Sequence, residues 1–288
     1  MAAPVLMFGV GAAKSGTSWL YRYLAAHPDC HLRSIKELHF FDTRDMGNRD
    51  WYLRNFNRKA NDVERGIVAG GDAAPTGQIA HLAELRLYAR VLDRGDPSGY
   101  LAFVMDGRVD ERLVGDITPS YGLLCEDTLR EMAALHEDVR FVYVMRDPVA
   151  RLWSHVRMVA GRRGDGDLGT RAARILDEVL AGTAPEIAGR GDYAGTIARL
   201  MAAVAPEKRF ICTSEDLFGG DALARLCAFL DIAPLRGKPE RRVHGGVEIA
   251  MTDTQRRRAA AWLRPQYDYV AANMGALPPA WQASLAGM

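Results

Sequence analysis

The stretch Phe8-Gly9-Val10-Gly11-Ala12-Ala13-Lys14-Ser15-Gly16-Thr17-Ser18-Trp19 constrains the fold of this chain more than any other. Residues 5–10 form a short apolar run that predicts a buried strand, and Trp19-Leu20-Tyr21-Arg22-Tyr23-Leu24 opens a helical pattern behind it. A strand that turns through small residues into a helix N-terminus aims several backbone N–H groups at one point. Such a point binds an anion, and a lysine in the loop adds a full positive charge. Further strands alternate with helices along the chain, which predicts an α/β fold with a mainly parallel sheet covered on both faces.

The lysine stands in an unusual place for a phosphate loop. The Walker pattern has lysine directly after glycine, whereas Lys14 here precedes Gly16 by two residues. The order K-S-G-T-S-W resembles the 5′-phosphosulfate loop of sulfotransferases that use 3′-phosphoadenosine-5′-phosphosulfate (PAPS). A second segment carries the same resemblance. The β-rich run 140–145 ends at Arg146-Asp147-Pro148, and large apolar residues then recur at helical spacing through Met158. Pro148 suits the first turn of that helix. Arg146 is thereby expected at the C-terminal edge of a strand, where open α/β sheets bind ligands. Ser154 lies two helical turns further on, and a guanidinium and a hydroxyl can together hold a phosphate. The order R-D-P-x-x-R-x-x-S resembles the sulfotransferase 3′-phosphate site, which implies Arg146 and Ser154 as its ligands. The competing reading is an Arg–Asp pair that caps the helix.

Two more segments resemble one branch of that family. Ser34-Ile35-Lys36-Glu37-Leu38-His39-Phe40-Phe41-Asp42 is similar to the K-E-x-H-F-F-D signature of heparan-sulfate-type sulfotransferases and their bacterial relatives. Gly115-Asp116-Ile117-Thr118-Pro119-Ser120-Tyr121 is similar to that branch's E-K-[ST]-P-x-Y segment. Towards the C-terminus the resemblance weakens to Phe210-Ile211-Cys212-Thr213-Ser214-Glu215-Asp216-Leu217, a strand ending in E-D-L.

Sulfuryl transfer needs in-line positioning and neutralisation of charge on the leaving oxygen. The resemblance implies Lys14 as the cation for the oxygen bridging phosphate and sulfur. It also implies that the N–H groups of Ser15, Gly16, Thr17 and Ser18, with the Thr17 and Ser18 hydroxyls, hold the 5′-phosphate. The acceptor must lose a proton, so a general base is required, and the resemblance makes Glu37 that base. An extended segment would put Glu37 and His39 on one face. His39 is then either the second candidate base or a histidine that holds the loop by hydrogen bonds, and Lys36 points away to solvent. Trp19 either touches adenine or packs in the core. Three positions depart from the family pattern. Ile117 stands where a lysine is frequent, and Asp116 stands for a glutamate. Ser214 stands where cytosolic sulfotransferases carry an adenine-contacting tyrosine.

Composition sets wider bounds. The 288 residues, 48% of them hydrophobic, suffice for one α/β domain over residues 1–288. A formal net charge of +1 argues against broad binding of nucleic acid or polyanions. The four cysteines form no C-x-x-C pair and no metal-ligand cluster stands out, so neither disulfide nor metal is expected. No signal peptide or membrane-length apolar run is evident, which predicts a soluble, cytoplasmic protein. Helices are expected at 51–56, 80–92, 124–135 (capped by Ser120), 171–180, 193–204, 222–230 and 254–274. A mobile loop is expected at 61–76, an interruption at 161–167 and a basic loop at 236–242.

The whole pattern predicts a P-loop-like three-layer fold. Segments 43–112 and 160–190 are expected to build an acceptor pocket. The implied activity is PAPS-dependent transfer of a sulfuryl group to a hydroxyl or amine of a carbohydrate, lipid or small molecule, with 3′-phosphoadenosine-5′-phosphate (PAP) as product. A small-molecule kinase would need lysine after glycine and a magnesium ligand set. A catalytically silent nucleotide binder is the third alternative.

Overall fold

Strand β1 (Val5–Gly11) is buried along its whole length. Its side chains alternate between two cores: Leu6, Phe8 and Val10 enter one, Val5 and Met7 the other. Strand β4 (Val139–Met145) divides in the same way, with Phe141, Tyr143 and Met145 on the first side and Val142 and Val144 on the second. A strand that is apolar on both pleats must be covered on both faces, and parallel crossovers supply that cover. The sheet accordingly has the order β2-β3-β1-β4-β5, with β2 at Cys30–Leu32, β3 at Leu113–Ile117 and β5 at Arg209–Thr213. Every neighbouring pair is parallel. This is the expected three-layer α/β fold. The computed structural model describes residues 3–70, 75–164, 166–235 and 249–286.

One face is covered by α1 (Thr17–Ala25), with Trp19, Leu20 and Leu24, and by α12 (Ala222–Phe229), with Leu226 and Cys227. The larger core on the other face draws on α2 (Phe40–Asp45), α3 (Arg49–Gly70), α4 (Thr76–Arg94), α5 (Pro97–Met105) and α6 (Glu126–Ala133). Further along the chain come α7 (Pro148–Arg162), α8 (Leu168–Leu180), α9 (Pro185–Ala188), α10 (Tyr193–Ala203) and α11 (Ser214–Gly219). The chain closes with α13 (Asp253–Met274) and α14 (Pro279–Ala286).

Several local expectations are corrected. The helix expected at 51–56 is the N-terminal part of α3, which runs on through most of the loop expected at 61–76. Phe56 and Ala60 are buried and Tyr52, Leu53 and Val63 pack beside them, so a narrow apolar stripe carries a helix whose other faces are polar. Ser120 caps no helix: residues 119–123 form a 3-10 turn, and α6 starts only at Glu126, after Cys125. Glu215-Asp216-Leu217 lie on α11 and not on the strand, because the Thr213 side chain accepts the Asp216 N–H and caps that helix. The basic loop expected at 236–242 lies outside the described residues. Among the described residues, no helix is long and apolar enough to cross a membrane.

Candidate active site

The carboxyl ends of β1 and β4 lie side by side, and both sequence motifs meet there. Gly11 is one reason they can. A Cβ at this position would stand 2.8 Å from the Tyr143 ring. The loop then turns through Lys14 at φ 73° and Gly16 at φ 97°, both left-handed. Such a conformation is costly for a lysine and persists where the surroundings determine it. The Ser15 N–H donates to the Ala12 carbonyl (3.2 Å) and closes the turn, so Ser15 is not a free loop donor as expected. Its side chain is fully buried. Helix α1 has no side-chain cap and no acidic residue in its first turn. Its N-terminal amides, at Gly16, Thr17 and Ser18, therefore face the positive end of the helix dipole without a counter-charge from their own helix.

Lys14 lies among cations. Its Nζ is 3.7 Å from the Met158 sulfur on α7. Burial lowers its pKa first, and the charges of Arg162, Arg146, Arg157 and Lys36 lower it further. Arg146, at the end of β4, donates from Nη1 to the Lys14 carbonyl (3.4 Å), which ties the two motifs together. The expected Arg–Asp capping pair is only half present. Asp147 caps α7 by accepting the Ala150 N–H (2.7 Å) and takes a hydrogen bond from the Tyr267 hydroxyl (2.9 Å), while Arg146 is not paired with it. Ser154 is half-buried on α7. Trp19 is 8% exposed, stacked on Tyr23 and edge-on to Phe218, so it packs in the core.

The segment 36–42 is not extended. Glu37 (φ 64°) and His39 (φ 57°) are both left-handed, and the backbone curls instead of alternating. The two side chains still meet, with Glu37 Oε2 3.7 Å from His39 Nε2. Lys36 does not leave for solvent as expected; its ammonium pairs with Glu37 Oε1. His39 Nδ1 is 2.7 Å from Oδ2 of the fully buried Asp42, and its ring stacks on Tyr52. Burial pushes the Glu37 carboxyl up, but the His39 hydrogen bond and the Lys36 charge outweigh it and hold the group at about 2. Burial lowers the His39 pKa, and Asp42 and Glu37 together raise it above its ordinary value.

The segment 116–121 holds this arrangement from below. Asp116, 2% exposed, accepts hydrogen bonds from Tyr100 (2.9 Å), Tyr121 (2.7 Å) and Thr118 (2.7 Å). Tyr121 in turn accepts the Phe40 N–H (3.0 Å), and the His39 N–H lies 3.4 Å from Thr118 Oγ1. Asp116 is thus a buried hub. Ile117 points to the opposite core, against Gly9. Sequence reasoning missed three further residues of this cleft. Tyr52 belongs to a helix read as short. Arg190 stands in a Gly-Arg-Gly stretch that carries no pattern. Phe218 follows E-D-L, although the aromatic was sought before it.

A strand–loop–helix at the C-terminal edge of a parallel sheet, beside a carboxylate–imidazole cluster, is the arrangement of an α/β protein of the phosphate-loop class. A family model described as the sulfotransferase family matches residues 5–183, and the chain belongs to that family. Its fold is similar to the crystal structure of a sulfotransferase from Alicyclobacillus acidocaldarius, with TM-score 0.65, 22% identity and coverage of 98% of this chain and 100% of that one. The sulfotransferase domain of the Synechococcus PCC 7002 olefin synthase follows at TM-score 0.53 and 18% identity, covering 96% of this chain and 95% of that domain. At these identities the likeness is one of fold. No curated protein matches the sequence.

Proposed function

We propose that the chain transfers a sulfuryl group from PAPS to an acceptor hydroxyl or amine. The observation that carries this reading is the meeting of Lys14 and Arg146 at a helix N-terminus with no side-chain cap, where the charges of Arg162, Arg157 and Lys36 also act on Lys14. A nucleotide with phosphates at both the 5′ and the 3′ positions suits such a site. The amides of Gly16, Thr17 and Ser18, with the Thr17 and Ser18 hydroxyls, hold the 5′-phosphate. Arg146 and Ser154 hold the 3′-phosphate. Lys14 neutralises the leaving oxygen.

The donor supplies the sulfuryl group. The acceptor oxygen or nitrogen bonds to sulfur as the bond from sulfur to the 5′-phosphate oxygen breaks, and PAP leaves. Glu37 takes the acceptor proton. His39, held by Asp42, positions Glu37 through their 3.7 Å contact. Lys36 pairs with Glu37 and its charge also reaches Lys14. It turns from the carboxylate towards the sulfuryl oxygens, which raises the basicity of Glu37 when its proton is needed. Segments 43–112 and 160–190 shape the acceptor side.

Calorimetric titration with PAP beside ADP and AMP tests the nucleotide site. PAP is expected to bind about 10- to 100-fold more tightly than ADP, and Arg146→Ala to erase that difference. Equal affinity of the wild type for PAP and ADP would sink the assignment.

A further inference from the structure

Near Lys14 and Arg146, Arg151 and Arg190 form no ion pair among the described residues. Arg151, on the first turns of α7, is 1% exposed, and none of its three guanidinium nitrogens has a hydrogen-bond partner among the described residues. The guanidinium lies against Gly191: a Cβ there would stand 2.5 Å from Nη2 and 2.8 Å from Nε and Cζ. Next to that glycine, Arg190 is half-buried and donates to the Ser120 hydroxyl (2.9 Å). Beside it, a small cavity lined by Arg190 reaches between Ala12, Tyr143 and Thr196.

Two facts place this pair on the acceptor side. Ser120 belongs to the turn whose Thr118 and Tyr121 hold the backbone of His39 and Phe40, so Arg190 is anchored beside the base segment. Its charge is also felt by Tyr52, which stacks on His39. His155, one turn after Arg151, is pushed down to about 3, by burial first and then by the charges of Arg151, Arg190, Lys14 and Arg162. It therefore adds no positive charge of its own and offers no anion to balance them. A guanidinium cannot shed its proton, and one that is buried calls for an anion.

We propose that Arg190, backed by Arg151 and the Ser120 hydroxyl, is a carboxylate subsite, so that the acceptor is a hydroxy or amino compound bearing a carboxylate. A planar fork beside one hydroxyl matches the two oxygens of a carboxylate. This inference rests on the sulfotransferase reading and names the acceptor class for the same cleft.

The test uses PAP-saturated protein titrated with benzoate and with benzamide, which share size and shape but differ in charge. The expected result is benzoate binding about 10-fold or more tighter than benzamide. Arg190→Ala should abolish the preference without changing PAP affinity. Arg190→Lys, which keeps the charge but loses the fork, should restore only part of it. Equal binding of the two probes by the wild type, or a preference that survives Arg190→Ala, overturns the subsite. Phenyl phosphate binding more tightly than benzoate overturns the carboxylate class. A wild type that fails to bind PAP fails at the nucleotide site instead, which separates the two ideas.

Discussion

Glu37 has a cation on one side and an imidazole on the other, both within the same curl of backbone. Because the carboxyl is held at about 2, it is ionised throughout the range in which enzymes are assayed. His39 behaves oppositely: its raised pKa keeps it protonated below that value, and it becomes a free base only as pH rises through it. The acid side of the pH–rate profile therefore separates the two. With Glu37 as base, kcat/KM stays flat from about pH 5 to about pH 7. An acid limb rising above the ordinary histidine range would transfer the role to His39. Glu37→Gln is expected to keep PAP affinity and to lose transfer by roughly 100- to 10,000-fold; normal turnover would remove the assignment. Glu37 and Lys14 were legible in the sequence because their neighbours form a motif. That Lys36 pairs with Glu37 was not, since a left-handed residue at 37 undoes the alternation an extended segment would impose.

At the scale of elements, the phosphate loop is walled by α11. Phe218, 46% exposed, lies edge-on to Trp19 with ring centroids 4.9 Å apart. A Cβ on Gly16 would approach its ring to 3.1 Å. Its exposed face is an apolar wall beside the loop, and under the proposed function it would take the place of an adenine-contacting tyrosine at position 214. Phe218→Ala is expected to weaken PAP about 2- to 10-fold, the worth of one aromatic contact, with kcat little changed. An unaltered dissociation constant would exclude Phe218 from the nucleotide site. Position 214 was the natural place to seek an aromatic from sequence alone. The helix that begins at Ser214 carries Phe218 one turn on, back towards the loop, and only the packing of α11 on α1 reveals that.

Across the whole molecule, the C-terminal helices brace the site from beyond the region that the family model matches. Tyr267 of α13 donates to Asp147, the cap of α7 that directly follows Arg146. Trp281 of α14 is fully buried, against Tyr193 and Tyr267. Tyr193 itself donates to the Arg146 carbonyl (2.7 Å). Trp281→Ala is expected to cost about 3–5 kcal/mol of stability, read as a lower urea midpoint with an unchanged slope. A loss below about 1 kcal/mol would show that α14 packs on a core complete without it.

By itself the sequence determined the alternation of strands and helices, the phosphate loop and the arginine at the end of β4. Those features are local: a run of apolar residues, a glycine where φ is positive and a proline at a helix start act over a few residues. Only the tertiary structure decided the rest. Which strand lies beside which, the enclosure of Arg151 with no hydrogen-bond partner among the described residues and the reach of Arg190 to Ser120 depend on contacts between segments far apart in the chain. No local pattern encodes such contacts, because they exist only once both faces of the sheet are covered.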